Sequence, residues 1–103
     1  MKKTIFSALM VALAVVSFSS QAAGFDCSRA SSFVENAICS DPTLSALDDA
    51  LNAVFNRALQ NSYNPAALKQ QQSQWLRGVR NTCGTNSCLV NVYSQRISVL
   101  QSM

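Results

Sequence analysis

The chain has 103 residues, four cysteines and no histidine, and its formal net charge is +3. That length leaves room for one domain. From Ala23 onward it carries six basic and five acidic side chains, a net +1 with no basic run, so there is no electrostatic ground for binding nucleic acid or anionic lipid.

The N-terminus reads as an export leader. Lys2 and Lys3 give a positive start, an uncharged and mostly apolar stretch runs from Ile5 to Phe18, and Ser19-Ser20-Gln21-Ala22-Ala23 follows. Cleavage after Ala22 puts small residues at −1 and −3 (Ala22 and Ser20), whereas cleavage after Ala23 would put the bulkier Gln21 at −3. Residues 1–22 are therefore expected to be a signal peptide and residues 23–103 the working domain. The apolar stretch is short for a membrane span. Gly24-Phe25-Asp26 separate the cleavage site from Cys27, so a lipid anchor on a first cysteine is not expected. The product should be soluble and periplasmic or secreted, with no membrane insertion after cleavage.

The remainder has a helical composition, rich in Ala, Leu, Gln, Ser and Asn, without period-two β-branched runs. The predicted fold class is all-α: a small disulfide-stapled bundle of about four helices around a long central hairpin. A first helix is expected from Ser32 to Cys39, opened by the capping box Ser32-Phe33-Val34-Glu35, with Ala30, Phe33, Ala37 and Ile38 on its apolar side. A second starts after Asp41, whose carboxylate can cap it, with Pro42 at the first helical position. Its stripe of Leu44, Leu47, Leu51, Val54, Phe55, Ala58 and Leu59 marks one buried face, and it should end near Asn61-Ser62-Tyr63-Asn64.

A third helix repeats this opening with Asn64 and Pro65. Its expected face is Leu68, Gln72, Trp75, Leu76, Val79 and Cys83, which makes it nearly as long as the second. Gly78 would be its weak point, at about 1 kcal/mol against Ala, and invites the close approach of another helix. Gly84 suits a left-handed cap after Cys83. A fourth helix should run from about Ser87 to Leu100, with Leu89, Tyr93, Ile97 and Leu100 inward. Short polar turns make successive helices antiparallel, which brings the turn between the last two helices near Cys39 and the start of the second.

A domain of about 80 residues buries a thin core and gains from covalent help. Cys27, Cys39, Cys83 and Cys88 supply an even count in an exported chain, which reads as two disulfides. Spacing leaves connectivity open. Local pairing, Cys27 with Cys39 and Cys83 with Cys88, is favoured; the rival joins Cys39 to Cys83 and Cys27 to Cys88. A zinc site would want closer ligand pairs and histidine, so no metal and no cofactor are expected.

Asp48 falls on or beside the apolar face of the second helix, and a carboxylate there needs a partner. Arg80 and Arg96 are the expected ones, in a partly buried ion pair tying the helices together. Trp75 and Tyr93 are expected in the core, with the Tyr93 hydroxyl at its rim. Catalysis is not expected. Histidine is absent, oxidised cysteines offer no thiolate, Glu35 is a capping residue, and Asp48 and Asp49 point about 100° apart on a helix. The exposed groups best suited to a protein contact lie at two turns: Tyr63 and Asn64 at one, Thr85 and Asn86 at the other.

Three strings then stand together. From Phe25 the chain reads F-D-C-x2-A-x4-E-x2-I-C-x-D-P-x-L-x2-L-D-x2-L. Gln72, Trp75, Leu76, Arg80 and Cys83 make Q-x2-W-L-x3-R-x2-C, and Cys88, Leu89, Tyr93, Arg96, Ile97 and Leu100 make C-L-x3-Y-x2-R-I-x2-L. Together they resemble the LprI-like family of small secreted bacterial proteins, over nearly all of the chain after the leader. The resemblance implies a protein partner, lysozyme, and inhibition by blocking its cleft. Phe55 stands where the family usually carries Tyr, and the anchoring cysteine of the family's lipid-anchored inhibitor is absent. The alternative function is an envelope-binding or immunity-type protein for another cell-wall-directed partner.

Overall fold

A computed structural model describes residues 24–103; the expected signal peptide, residues 1–22, and its expected cleavage site lie outside the described residues. Four α-helices and two single 3₁₀ turns follow in chain order: the turn Cys27–Arg29, α1 (Phe33–Ser40), α2 (Pro42–Asn61), α3 (Pro65–Gly78), the turn Arg80–Thr82, and α4 (Asn86–Gln101). No strand occurs among the described residues.

The helix starts are local chemistry. Ser32 Oγ accepts from the Glu35 amide, while the Glu35 carboxylate reaches back to the Ser31 amide. The first bond satisfies a donor that a helix start leaves orphaned, and the second holds the residue before the cap. Asp41 caps α2 by accepting from the Thr43 and Leu44 amides, and Pro42 takes the first position, where no amide hydrogen is needed. Asn64 does the same for α3 through the Ala67 amide, and Thr85 for α4 through the Cys88 amide.

The core runs along α2. Leu44, Leu51, Val54 and Ala58 face Val34, Ala37 and Ile38 of α1, Leu68 of α3, and Leu89, Tyr93 and Leu100 of α4. The most extensive helix contact is between α2 and α4, with α3 touching α2 less. Two hydrogen bonds tie the end where α2 begins. Ser45 Oγ donates to the Ile38 carbonyl, and Asn86 Nδ2 donates to Asp41 Oδ2 at 3.2 Å, which brings the turn before α4 beside the start of α2 as expected.

Both disulfides are local. Cys27 is joined to Cys39, and Cys83 to Cys88, with Cα separations of 5.8 and 5.6 Å. The first ties the entering chain to the end of α1, and the second closes the turn into α4.

Four expectations are corrected. Phe33 is 52% exposed and Val34 is buried in its place, because α1 turns the Val34-Ala37-Ile38 spacing inward. The third helix does not reach Cys83. It stops at Gly78, whose backbone is the costliest in the segment to hold helical, and Val79 leaves the helix exposed. The following turn swings Arg80 inward instead. No helix approaches Gly78, since a Cβ there would meet nothing within 4 Å, and Gly84 adopts no left-handed φ.

Candidate functional site

The expected polar residues fall into three places. At the centre, Asp48 is only 3% exposed. Its Oδ1 accepts from the Tyr93 hydroxyl at 2.7 Å, and its Oδ2 from the Gly24 amide at 2.5 Å and from Asn52 Nδ2 at 3.4 Å. In place of the expected direct ion pair, three neutral donors surround the carboxylate. Arg80 Nε donates to Asn81 Oδ1 at 3.0 Å, with its guanidinium carbon 5.9 Å from the centre of the Phe25 ring. Arg96 Nε donates to Gln72 Oε1 at 2.8 Å, its Nη2 is buried without a partner among the described residues, and burial lowers its pKa. Arg80 is nonetheless buried beside the same centre, where its charge acts on the Tyr93 hydroxyl that donates to the acid.

Tyr93 is fully buried, not at the rim, and its ring meets the Trp75 edge at 5.5 Å and 80°. Burial pushes the phenol pKa well above its ordinary value; the hydrogen bond to Asp48 and that residue's charge push it the same way, while Arg80 opposes. The phenol therefore stays a donor wherever the fold persists. Asp48, Tyr93, Gln72 and Arg96 spend hydrogen bonds within this centre. A hollow of about 290 Å³, lined by Gly24, Phe25, Asp48, Asn52, Gln72 and Arg80, lies against it.

The turn between α2 and α3 forms the second place. Tyr63 stands wholly free of the protein surface, at 107% relative exposure. Asn64 does not share that freedom, since its side chain caps α3 and its amide donates to Ser62 Oγ. Beside Tyr63 opens a hollow of about 450 Å³, with Ala58, Ala67, Leu68 and Met103 in its walls.

The third place is the turn before α4. Thr85 is occupied as a helix cap and Asn86 as the donor to Asp41. Among the described residues, Tyr63 is the one expected contact residue that makes no hydrogen bond. α2 separates the two turns by about 30 Å, the length of its 20 residues, so they belong to opposite ends of the domain.

Among the described residues no group of His, Cys, Asp and Glu could hold a metal, all four cysteines are paired, and no helix is long and apolar enough to cross a membrane. Sequence reasoning missed the Gly24 amide as a partner of Asp48. The signal for it was present in part, because a glycine just before Cys27 permits close approach of the backbone.

What the fold and its surface define is a helical scaffold with stapled corners and a sealed polar centre, presenting one free aromatic at a hairpin tip. The chain belongs to the lysozyme inhibitor LprI family, whose family model matches residues 27–100. Comparison with curated proteins and with solved structures returned no match.

Proposed function

We propose that this chain is an exported, non-catalytic inhibitor that binds lysozyme and blocks its cleft, acting in the periplasm or outside the cell. Membership of a lysozyme inhibitor family over residues 27–100 carries the reading. The paired cysteines support an oxidising compartment, since such bonds persist outside the cytoplasm. Lysozyme works through a carboxylate pair in an open cleft, so a rigid protrusion can inhibit it by excluding substrate.

We place the contact at the α2–α3 tip. Tyr63 is a large side chain with few rotatable bonds, and its hydrogen-bonding capacity is unspent. The adjoining hollow would receive an apolar group of the partner. The polar groups of Thr85 and Asn86 are already used, which makes the opposite tip the poorer surface.

The test is lysis of peptidoglycan by lysozyme in the presence of the oxidised mature protein. Inhibition should be present in the wild type and weakened about 30-fold in Tyr63→Ala, the effect of removing a side chain worth about 2 kcal/mol at an interface. An unchanged Tyr63→Ala variant would move the contact elsewhere. Absence of inhibition at micromolar excess would end the lysozyme reading and leave another envelope partner.

A further inference from the structure

The hollow beside Asp48 is bordered by three charged side chains, Glu35, Asp48 and Arg80. The hollow at the α2–α3 tip has no charged side chain in its wall. Its floor is apolar: Ala58 and Leu68 are buried there, with Ala67 beside them. Its rim carries the side-chain amides of Asn61 and Gln71, and Tyr63 forms an edge.

The sequence builds this lining from a repeated pair. On α2 an amide stands three residues after Ala58, and on α3 an amide stands three residues after Leu68; residues so spaced share a helix face. The two helices run in opposite directions from the turn, so Asn61 falls at the outer end of the hollow and Gln71 further in. The hydrogen bonds at the tip run from the Asn64 amide to Ser62 Oγ and from the Ala67 amide to Asn64 Oδ1, which leaves the Asn61 and Gln71 side chains unbonded among the described residues. Each amide offers a carbonyl acceptor and two N–H donors.

This lining selects by chemistry. A phosphate, carboxylate or ammonium would find no opposite side-chain charge. A wholly apolar ligand would cover the two amides and give them no partner, which is costly. A pyranose matches both parts, since it has a face of C–H groups and an edge of hydroxyls. The C–H face suits the Tyr63 ring, whose π-face carries negative charge, and the hydroxyls suit the amides. An N-acetyl group adds a methyl for the floor of Ala58 and Leu68 and an amide for the rim. The volume of about 450 Å³ lies in the range of about 300–1,000 Å³ common to small-molecule sites.

We infer that the hollow at the α2–α3 tip is a binding site for a neutral N-acetylated amino sugar of a glycan chain, with Tyr63 stacked on the ring and Asn61 and Gln71 bonded to its polar edge. This goes beyond the lysozyme reading, because the ligand is a sugar and no enzyme is needed to hold it. The tip then has two ligands, the wall polymer and the enzyme that attacks it, and they compete for Tyr63.

The experiment is an amide-resolved NMR titration of the oxidised mature protein with tri-N-acetylchitotriose, with cellotriose, which lacks the acetamido groups, as the comparison. Shifts should gather on residues 58–71 and Met103 and half-saturate at about 1 mM or below. Cellotriose should bind at least about five-fold more weakly. Tyr63→Ala should weaken binding at least about ten-fold and Gln71→Ala about three-fold, while Tyr63→Phe, which keeps the ring, stays within about three-fold of wild type. The spectrum of each variant reports its fold in the same measurement. No saturable shift up to about 20 mM, shifts centred on the hollow beside Asp48, equal binding of cellotriose, an unchanged Tyr63→Ala, or a Tyr63→Phe as weak as Tyr63→Ala overturns the inference. Lysozyme is absent throughout, so a failure here leaves the inhibition assay untouched, and a failure of inhibition leaves this result standing.

Discussion

Replacing Tyr93 by phenylalanine removes a single oxygen from the centre of the bundle and leaves the ring against Trp75. The lost group is the donor to Asp48 Oδ1 at 2.7 Å, in a site with neither residue open to solvent. A hydrogen bond to a charged acceptor contributes about 1.5–3 kcal/mol, and the carboxylate that loses it is only 3% exposed. Tyr93→Phe should therefore destabilise the domain by about 2 kcal/mol. For a domain of this size that corresponds to a fall in Tm of about 10 °C. Urea unfolding followed by far-ultraviolet circular dichroism measures the first, and a thermal scan the second.

The alkaline limb supplies an independent reading of the same bond. The folded phenol has a pKa raised above the ordinary value of 10.0, so above that pH the unfolded chain sheds a proton that the folded chain keeps. Stability from this group is complete below the ordinary value and is lost as pH rises through the folded one. Wild-type stability should decline above about pH 10 more steeply than that of Tyr93→Phe, whose ring cannot ionise. If the variant lies within about 0.5 kcal/mol of wild type at pH 7 and follows the same alkaline decline, the Tyr93–Asp48 bond does not hold the centre together.

Other outcomes follow from single features. Tyr63→Ala should unfold with the wild-type midpoint while losing inhibition, because the side chain touches nothing whose loss the fold would register; a shifted midpoint would show that the tip is structural. Gly78→Ala should stabilise by about 0.5–1 kcal/mol in urea, since a Cβ there meets nothing and the helix end gains a better former; a loss of stability would mean that the break after Gly78 is needed. Replacing Cys27 and Cys39 by serine should cost about 3 kcal/mol, and replacing Cys83 and Cys88 about 2 kcal/mol, from the entropy of the loops they close; equal midpoints with and without reductant would refute both figures.

The sequence announced the helix starts because they are short-range. Asp41-Pro42 and Asn64-Pro65 carry a side-chain acceptor followed by a residue needing no amide partner, and nothing distant can change that. The end of α3 was misread because Leu68, Gln72, Trp75, Leu76, Val79 and Cys83 keep helical spacing through Gly78, and spacing does not register the backbone cost at one position. Phe33 shares helical spacing with Ala30, Ala37 and Ile38 and so reads as inward, whereas the direction of α1 is set by what it packs on. Asp48 was recognised as a carboxylate in need of partners. Naming them required knowing that Tyr93, 45 residues on, and Gly24, 24 residues back, converge on it. Of the contact residues, Tyr63 kept its freedom, while Asn64, Thr85 and Asn86 turned out to serve the chain's own backbone and caps.

Each sulfur finds its mate no more than twelve positions away, and the two linked stretches do not overlap. A polypeptide threaded N-terminus first through a translocation channel into an oxidising space would present Cys27 and Cys39 together before Cys83 had emerged. Oxidation in order of arrival then yields the native pattern, so a donor of disulfides is sufficient and a shuffling catalyst has nothing to correct.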